Sequence, residues 1–177
     1  MMSTIIWLLA FVATMWIVEL VNWAIGHDLN SLGIFPRTTS GLIGIPLAPF
    51  LHGSIGHLVS NTIPFLVLGG LVLVQGKQKF LEVTAIVITL GGLGVWLVGR
   101  SSFHIGASGL VFGYFGYLLA RGWYDRSVVS ILIAVAVVLV YGGLLLGVLP
   151  TLSFVSWEGH LFGLLAGVLV ARMNRRR

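Results

Sequence analysis

Gly106-Ala107-Ser108-Gly109, continued by Leu110-Val111-Phe112-Gly113-Tyr114-Phe115-Gly116-Tyr117-Leu118-Leu119-Ala120 and closed by Arg121, decides how the rest of the chain is read. A serine flanked by small residues opens an apolar segment that stops at an arginine. About 13 residues of helix rise only about 20 Å, against a hydrocarbon core of roughly 30 Å. With Arg121 at one membrane face, Ser108 lies roughly 10 Å beneath the other. A hydroxyl at that depth, at a helix N-terminus, has free backbone N–H groups and the positive end of the helix dipole beside it. That setting suits a nucleophile whose reaction develops an oxyanion.

The composition around this stretch supports a bilayer setting. Of 177 residues, 58% are hydrophobic and 8% charged, and the mean hydropathy is +1.06, too apolar for a soluble domain. Apolar runs at roughly Thr4–Ala24, His52–Val74, Phe80–Val98, Ser108–Ala120, Val128–Val148 and Gly159–Ala171 predict an all-α membrane protein of six transmembrane helices. They use most of the chain, so residues 1–177 are expected to form a single domain.

The net charge of +5 is placed as a topology signal rather than as a nucleic-acid patch, and no nucleic-acid partner is expected. Lys77, Lys79, Arg121, Arg126, Arg172, Arg175, Arg176 and Arg177 fall at alternate helix connections or in the C-terminal tail, whereas Arg37 and Arg100 fall on the other side. The positive-inside asymmetry predicts cytoplasmic termini. Zero cysteines exclude disulfides, thiolate chemistry and Cys-bound zinc. The first apolar run has no basic leader and no clear small-x-small cleavage site, so it is expected to be a retained helix rather than a signal peptide. With no targeting extension or appended soluble domain visible, a prokaryotic plasma membrane is the expected location.

In the first helix Glu19 is an ionisable group inside an apolar run, with Asn22 one turn on as a hydrogen-bond partner. A structural pairing that anchors the following loop is preferred to catalysis. Trp7, Trp16 and Trp23 include at least one expected interfacial anchor. Gly26 to Leu51 has no clear helical span yet stays apolar, with Pro36, Pro46 and Pro49. Irregular backbone cannot face lipid tails at depth, so this loop is expected at the outer interface, folded against the bundle, with Arg37 at headgroup level.

The second helix carries His57 and Asn61, four apart and therefore on one face, both able to donate to one small anionic target. His52, five residues before His57, is turned off that face. A metal reading is disfavoured, because the spacing is not that of a zincin helix and no acidic residue lies nearby in sequence. No cofactor is expected. Pro64 can help open a cavity beside this helix.

Gly109, Gly113 and Gly116 in the fourth helix, and Gly159, Gly163 and Gly167 in the sixth, form small-residue stripes that let backbones approach closely in lipid. Each stripe runs beside a polar residue near its outer end, Ser108 and His160. If the helices meet through their glycines, His160 can reach Ser108, whose hydroxyl needs a base because it is a weak nucleophile alone. Glu158, two residues before His160 on the same helix, points to the far side, so a Ser–His dyad is expected rather than a triad. Thr151 to Trp157, with Phe154 and Trp157, is expected to lie above the pair, placed to act as a lid or an aromatic belt.

At this point the chain resembles the rhomboid family of intramembrane serine proteases, through His52-x4-His57-x3-Asn61, Gly106-x-Ser108-Gly109 and Gly159-His160-x2-Gly163-x3-Gly167. Their order, spacing and topology agree across about the whole chain with a minimal six-helix form. The resemblance implies Ser108 as nucleophile and His160 as general base and then acid. It also implies an oxyanion hole of His57, Asn61 and the Ser108 N–H, with His52, Gly106, Gly109 and Phe112 in support. The implied substrates are membrane proteins, cut near the outer ends of transmembrane helices through an outward-open cavity in a surround of membrane lipid. The sequence does not set an oligomeric state. There are two departures: Phe112 stands where members often carry a tyrosine that packs on the histidine, and Pro36-Arg37 stands where they often carry Trp-Arg. An inactive rhomboid-like protein that binds membrane clients is the first rival reading, although such relatives usually lack the serine or the histidine. A small transporter is the second, and the uncharged polar cluster towards one face argues against it.

Overall fold

The structure is a computed structural model that describes residues 2–150 and 155–175, with side chains from residue 5 onward. Six helices form the bundle: α1 (Met2–Ala24), α2 (Ile55–Leu73), α3 (Lys77–Val98), α4 (Ser108–Asp125), α5 (Val128–Tyr141, prolonged by a 3-10 segment Gly142–Val148) and α6 (Trp157–Met173). Local chemistry sets their ends. The Ser54, Ser127 and Ser156 hydroxyls accept from the N–H groups of His57, Ser130 and Gly159, each capping an orphan donor of the first turn. Gly76, at φ 113, turns the chain between α2 and α3, and Arg126 in the left-handed region ends α4.

Two expected boundaries are corrected. The second helix begins at Ile55, not His52, because Ser54 takes the capping position and leaves His52 in the preceding loop. The fourth helix does not stop at Arg121. It runs a further turn to Asp125, where Arg121 Nε pairs with Asp125 Oδ2 at 2.7 Å across one turn.

Four helices, α1, α2, α3 and α5 with its 3-10 extension, are long and apolar enough to cross a membrane by themselves. Of the other two, α4 is central and needs no such length or apolarity, while α6 packs one face on it and exposes Leu165 and Leu169 on the other. In α4 every residue from Leu110 to Leu118 is buried, so this helix is walled by protein rather than lipid. Its main neighbour is α6, and the two meet as the glycine stripes predict. A Cβ on Gly163 would land on the Gly109 carbonyl, and one on Gly167 on the Gly113 carbonyl. Contact of backbone with backbone is what holds this pair together. The apolar core then continues outward through Phe65, Leu68, Val72, Phe80, Val83, Tyr114 and Phe115.

The long first connection folds against the bundle, as expected of an apolar loop rich in proline. Short helical turns at Asp28–Leu32, Ser40–Leu42, Gly44–Leu47 and Ala48–Phe50 satisfy its backbone locally. Arg37 fastens it to the end of α3, donating to Gly99 O at 2.8 Å, while Trp96 Nε1 donates to Thr38 O at 2.8 Å. Glu19 and Asn22 do not share a hydrogen bond. Glu19 instead pairs with His27 at 3.2 Å, and Asn22 binds Asn30 Oδ1 at 2.9 Å and the Leu29 N–H at 3.0 Å. Both side chains therefore tie the end of α1 to the loop that follows it, which is the anchoring role the sequence favoured.

At the opposite end of the bundle, Lys79 Nζ reaches Glu82 Oε2 at 2.6 Å and Asn174 Oδ1 at 2.8 Å, and Lys77 lies 4.1 Å above the Trp7 ring. The start of α3 and the end of α6 thus share one side, where the basic residues gather. The several apolar helices make this a multi-pass membrane protein.

Candidate active site

The residues singled out in sequence converge on one cavity. It has a volume of about 890 Å³ and is lined by His57, Asn61, Pro64, Ser108, Phe112, Gly147 and His160, among others. Ser108 is the first residue of α4 and is half-buried. It enters through Gly106, whose backbone adopts φ 112, a conformation that favours glycine. The position has a second constraint, since a Cβ there would meet His57 Cε1 at 2.8 Å and Nε2 at 2.9 Å. Gly106 thus lets the His57 ring lie directly against the backbone that leads into Ser108.

The donors on α2 have a readable orientation. The Gly53 N–H points at His57 Nδ1 from 3.5 Å, a long contact, which favours the tautomer that carries its proton on Nε2, the atom beside Gly106. Asn61 uses one amide N–H on the His57 carbonyl one turn back at 3.1 Å, and its second N–H remains for another acceptor. Together with the unpaired N–H groups that open α4, these donors border the cavity that Ser108 lines.

His52 belongs to the supporting layer. Fully buried, it accepts the Ala107 N–H on Nε2 at 3.4 Å and sits edge-on to His57 with ring centres 5.1 Å apart. Burial, with the His57 charge next, holds its pKa down at about 4, so the ring is neutral and an acceptor at Nε2 is consistent with that state.

On the other wall, His160 rises from the first turn of α6. Its Nδ1 lies 2.8 Å from the Gly147 carbonyl, which can only accept, so the proton sits on Nδ1 and Nε2 keeps its lone pair. The Phe112 ring stacks flat on the imidazole, with centroids 4.1 Å apart and planes 6° from parallel. The stacking expected of phenylalanine at this position is therefore present without a hydroxyl. Ser108 and His160 face the same cavity, and no hydrogen bond joins them among the described residues. Glu158 points away from His160 and pairs with Arg100 at 3.6 Å.

Two contributors escaped the sequence reading. Gly147 acts through a backbone carbonyl, which residue type does not advertise, and a Cβ there would meet Phe112 at 2.8 Å and His160 Nδ1 at 3.1 Å. His104, buried in the loop before Ser108, contacts the Ser156 hydroxyl at 2.6 Å. The polar run Arg100 to His104 was the available signal. The expected lid at Thr151 to Trp157 falls partly outside the described residues, Phe154 included. Trp157 is described and half-buried.

Residues 39–177 match the family model for the Rhomboid domain. An uncharacterized Mycobacterium tuberculosis protein is 46% identical over 93% of this chain and 72% of its own length. RHOMBOID-like protein 4 of Arabidopsis thaliana is 32% identical over 68% of this chain and 32% of its own. A Bacillus subtilis protein, YdcA, provisionally named a rhomboid protease, is 30% identical over 68% and 61%. With a family model matched over more than half its length, the chain belongs to the rhomboid family.

Proposed function

We propose that the protein is an intramembrane serine endopeptidase that hydrolyses peptide bonds in or near the transmembrane helices of membrane-protein substrates. The observation that carries this reading is the state of His160. The Gly147 carbonyl and the Phe112 face fix its ring with the Nε2 lone pair free, on a cavity shared with the Ser108 hydroxyl. A base in that tautomer, beside a weak nucleophile, is what acyl transfer requires. The Gly147 carbonyl plays the orienting part that a carboxylate plays in a triad.

In this mechanism Ser108 Oγ attacks the scissile carbonyl as His160 Nε2 takes its proton. Negative charge develops on the carbonyl oxygen and is met by His57 Nε2–H, the second Asn61 N–H and the Ser108 N–H. One such donor is typically worth about 10²–10³ in turnover. His160 then returns the proton to the leaving amine, giving an acyl-enzyme and the first product. A water attacks that ester with His160 again as base, and Ser108 is released. Catalytic contacts of this kind tighten when substrate binds.

The same reading makes residues 1–177 one rhomboid-like domain in the plasma membrane, in contact with lipid. Both termini are cytoplasmic and the cavity opens outward, a sidedness supported by the gathering of basic residues at the far end of the bundle. A fluorophosphonate probe tests the nucleophile: Ser108 is labelled in the wild type, not in Ser108→Ala, and only weakly in His160→Ala. Equal labelling of His160→Ala and wild type removes His160 from the mechanism.

A further inference from the structure

His104 and Ser156 take no part in the chemistry above, yet they join the two segments that deliver Ser108 and His160. His104 is 4% exposed, four residues before Ser108, and its backbone pairs with Ile34 in both directions at 3.0 and 2.9 Å. Its Nε2 faces the Arg100 carbonyl at 3.0 Å. A carbonyl only accepts, so Nε2 carries the proton and the neutral ring's Nδ1 is an acceptor, 2.6 Å from the Ser156 hydroxyl. Ser156 is also the cap of α6, where its oxygen accepts from the Gly159 N–H at 3.3 Å, the residue before His160.

A second tie runs alongside. Glu158, 2% exposed, accepts the Arg100 N–H at 3.2 Å, and the Arg100 guanidinium donates to the Val155 carbonyl. The His104–Ser156, Arg100–Glu158 and Arg100–Val155 bonds join Arg100–His104 to Val155–Glu158, more than 50 positions along the chain.

Packing leaves work for such a bridge. Deeper in the bundle, glycine contacts between α4 and α6 fix how far apart the helices lie. At the outer end Gly109 lies against the Gly159 carbonyl, and a small cavity of about 60 Å³ beside that contact is lined by His104, Ser108, Gly109, Ser156 and Gly159. Glycine backbones offer no side chain to lock rotation or sliding there, and the His104–Ser156 and Arg100–Glu158 bonds supply that tie at the first turn of α6. Displacement of a reacting group by about 1 Å can cost about 10²-fold in rate.

We propose that His104 and Ser156 are positioning residues that hold His160 in register with Ser108, with the Arg100–Glu158 pair as a second tie. The inference rests on the reading of Ser108 and His160 as the reacting pair. Its test therefore carries one readout that does not depend on activity. The five histidines allow selective imidazole ¹⁵N labelling of the full chain in detergent micelles. The His104 signal, assigned by its loss in His104→Asn, should show a protonated Nε2 and an unprotonated, hydrogen-bonded Nδ1. The His160 signal should shift in Ser156→Ala and return in Ser156→Thr, which keeps the hydroxyl.

In substrate cleavage, Ser156→Ala should lose about 10²-fold in kcat with KM nearly unchanged, and Ser156→Thr should recover most of it. A merely structural cap would lower the melting temperature of Ser156→Ala and leave kcat and the His160 signal in place, which overturns the proposal. The opposite His104 tautomer in the wild type also overturns it, even if Ser156→Ala does not fold. Wild-type protein as inactive as Ser108→Ala counts against the protease reading instead, and the His160 signal still decides whether the bridge positions the ring.

Discussion

The α4–α6 pair and the more apolar helix α5 solve opposite problems. In α5 nearly every residue faces outward, with Ser130 and Val137 the buried exceptions, and Leu139 is 80% exposed. Such a helix is selected for solubility in lipid, where association gains little from the hydrophobic effect because the surround is equally apolar. In α4 the whole stretch from Leu110 to Leu118 is buried, and its contact with α6 is made by glycine backbones. In a membrane, apolarity therefore marks the periphery, and small residues mark the working centre. At its outer, C-terminal end α5 reaches the site, through the Gly147 carbonyl on His160.

The largest effect expected from breaking this contrast is at Gly167. Gly167→Leu puts a side chain where the Gly113 carbonyl already lies, with the Tyr117 N–H 2.9 Å from the new Cβ. Overpacking of this kind costs about 3 kcal/mol or more when neither backbone can yield. Thermal unfolding in detergent should show a large drop in melting temperature and no cleavage activity.

Next in size are the proposed oxyanion donors. His57→Ala and Asn61→Ala should each lower kcat by about 10²–10³ with the fold intact, read by substrate cleavage beside circular dichroism. Smaller still is Gly147→Ala, whose methyl crowds Phe112 and His160 where the end of α5 meets the site. A loss of about tenfold in kcat, with little change in KM, is expected from a slightly displaced base.

Acid should also destabilise the protein through its buried histidines outside the spanning helices. Burial holds His52 near a pKa of about 4 and pushes His104 below its ordinary 6.5. The unfolded chain then binds protons that the folded chain does not. The stability from these groups is complete above about pH 6.5 and falls as pH drops towards 4. Melting temperature should fall over that window, and His52→Gln should flatten the fall. At the bottom of the scale, Leu139→Ala on the outer face of α5 should change stability by less than about 0.5 kcal/mol.

What the sequence makes legible follows from how local each cause is. Glycines at intervals of three and four announce the α4–α6 contact because helix geometry converts spacing into a face. His57 and Asn61 fall together for the same reason. The limits of a helix are less visible: Ser54, rather than the onset of hydrophobic residues, starts α2 and leaves His52 outside it. Least visible are groups whose partners lie far along the chain or in the backbone. His104 with Ser156, Arg100 with Glu158, and the Gly147 carbonyl leave no periodic trace, since only the packed bundle brings them together.

The most direct test of the account is cleavage of a helical membrane substrate by purified protein in liposomes, with Ser108→Ala and His160→Ala in parallel. Cleavage by the wild type, lost in both variants while their melting temperatures hold, is the predicted result. Undiminished cleavage in Ser108→Ala, or none in folded wild type that also resists fluorophosphonate labelling, would contradict it, and the latter would point to a rhomboid protein that binds membrane clients without cutting them.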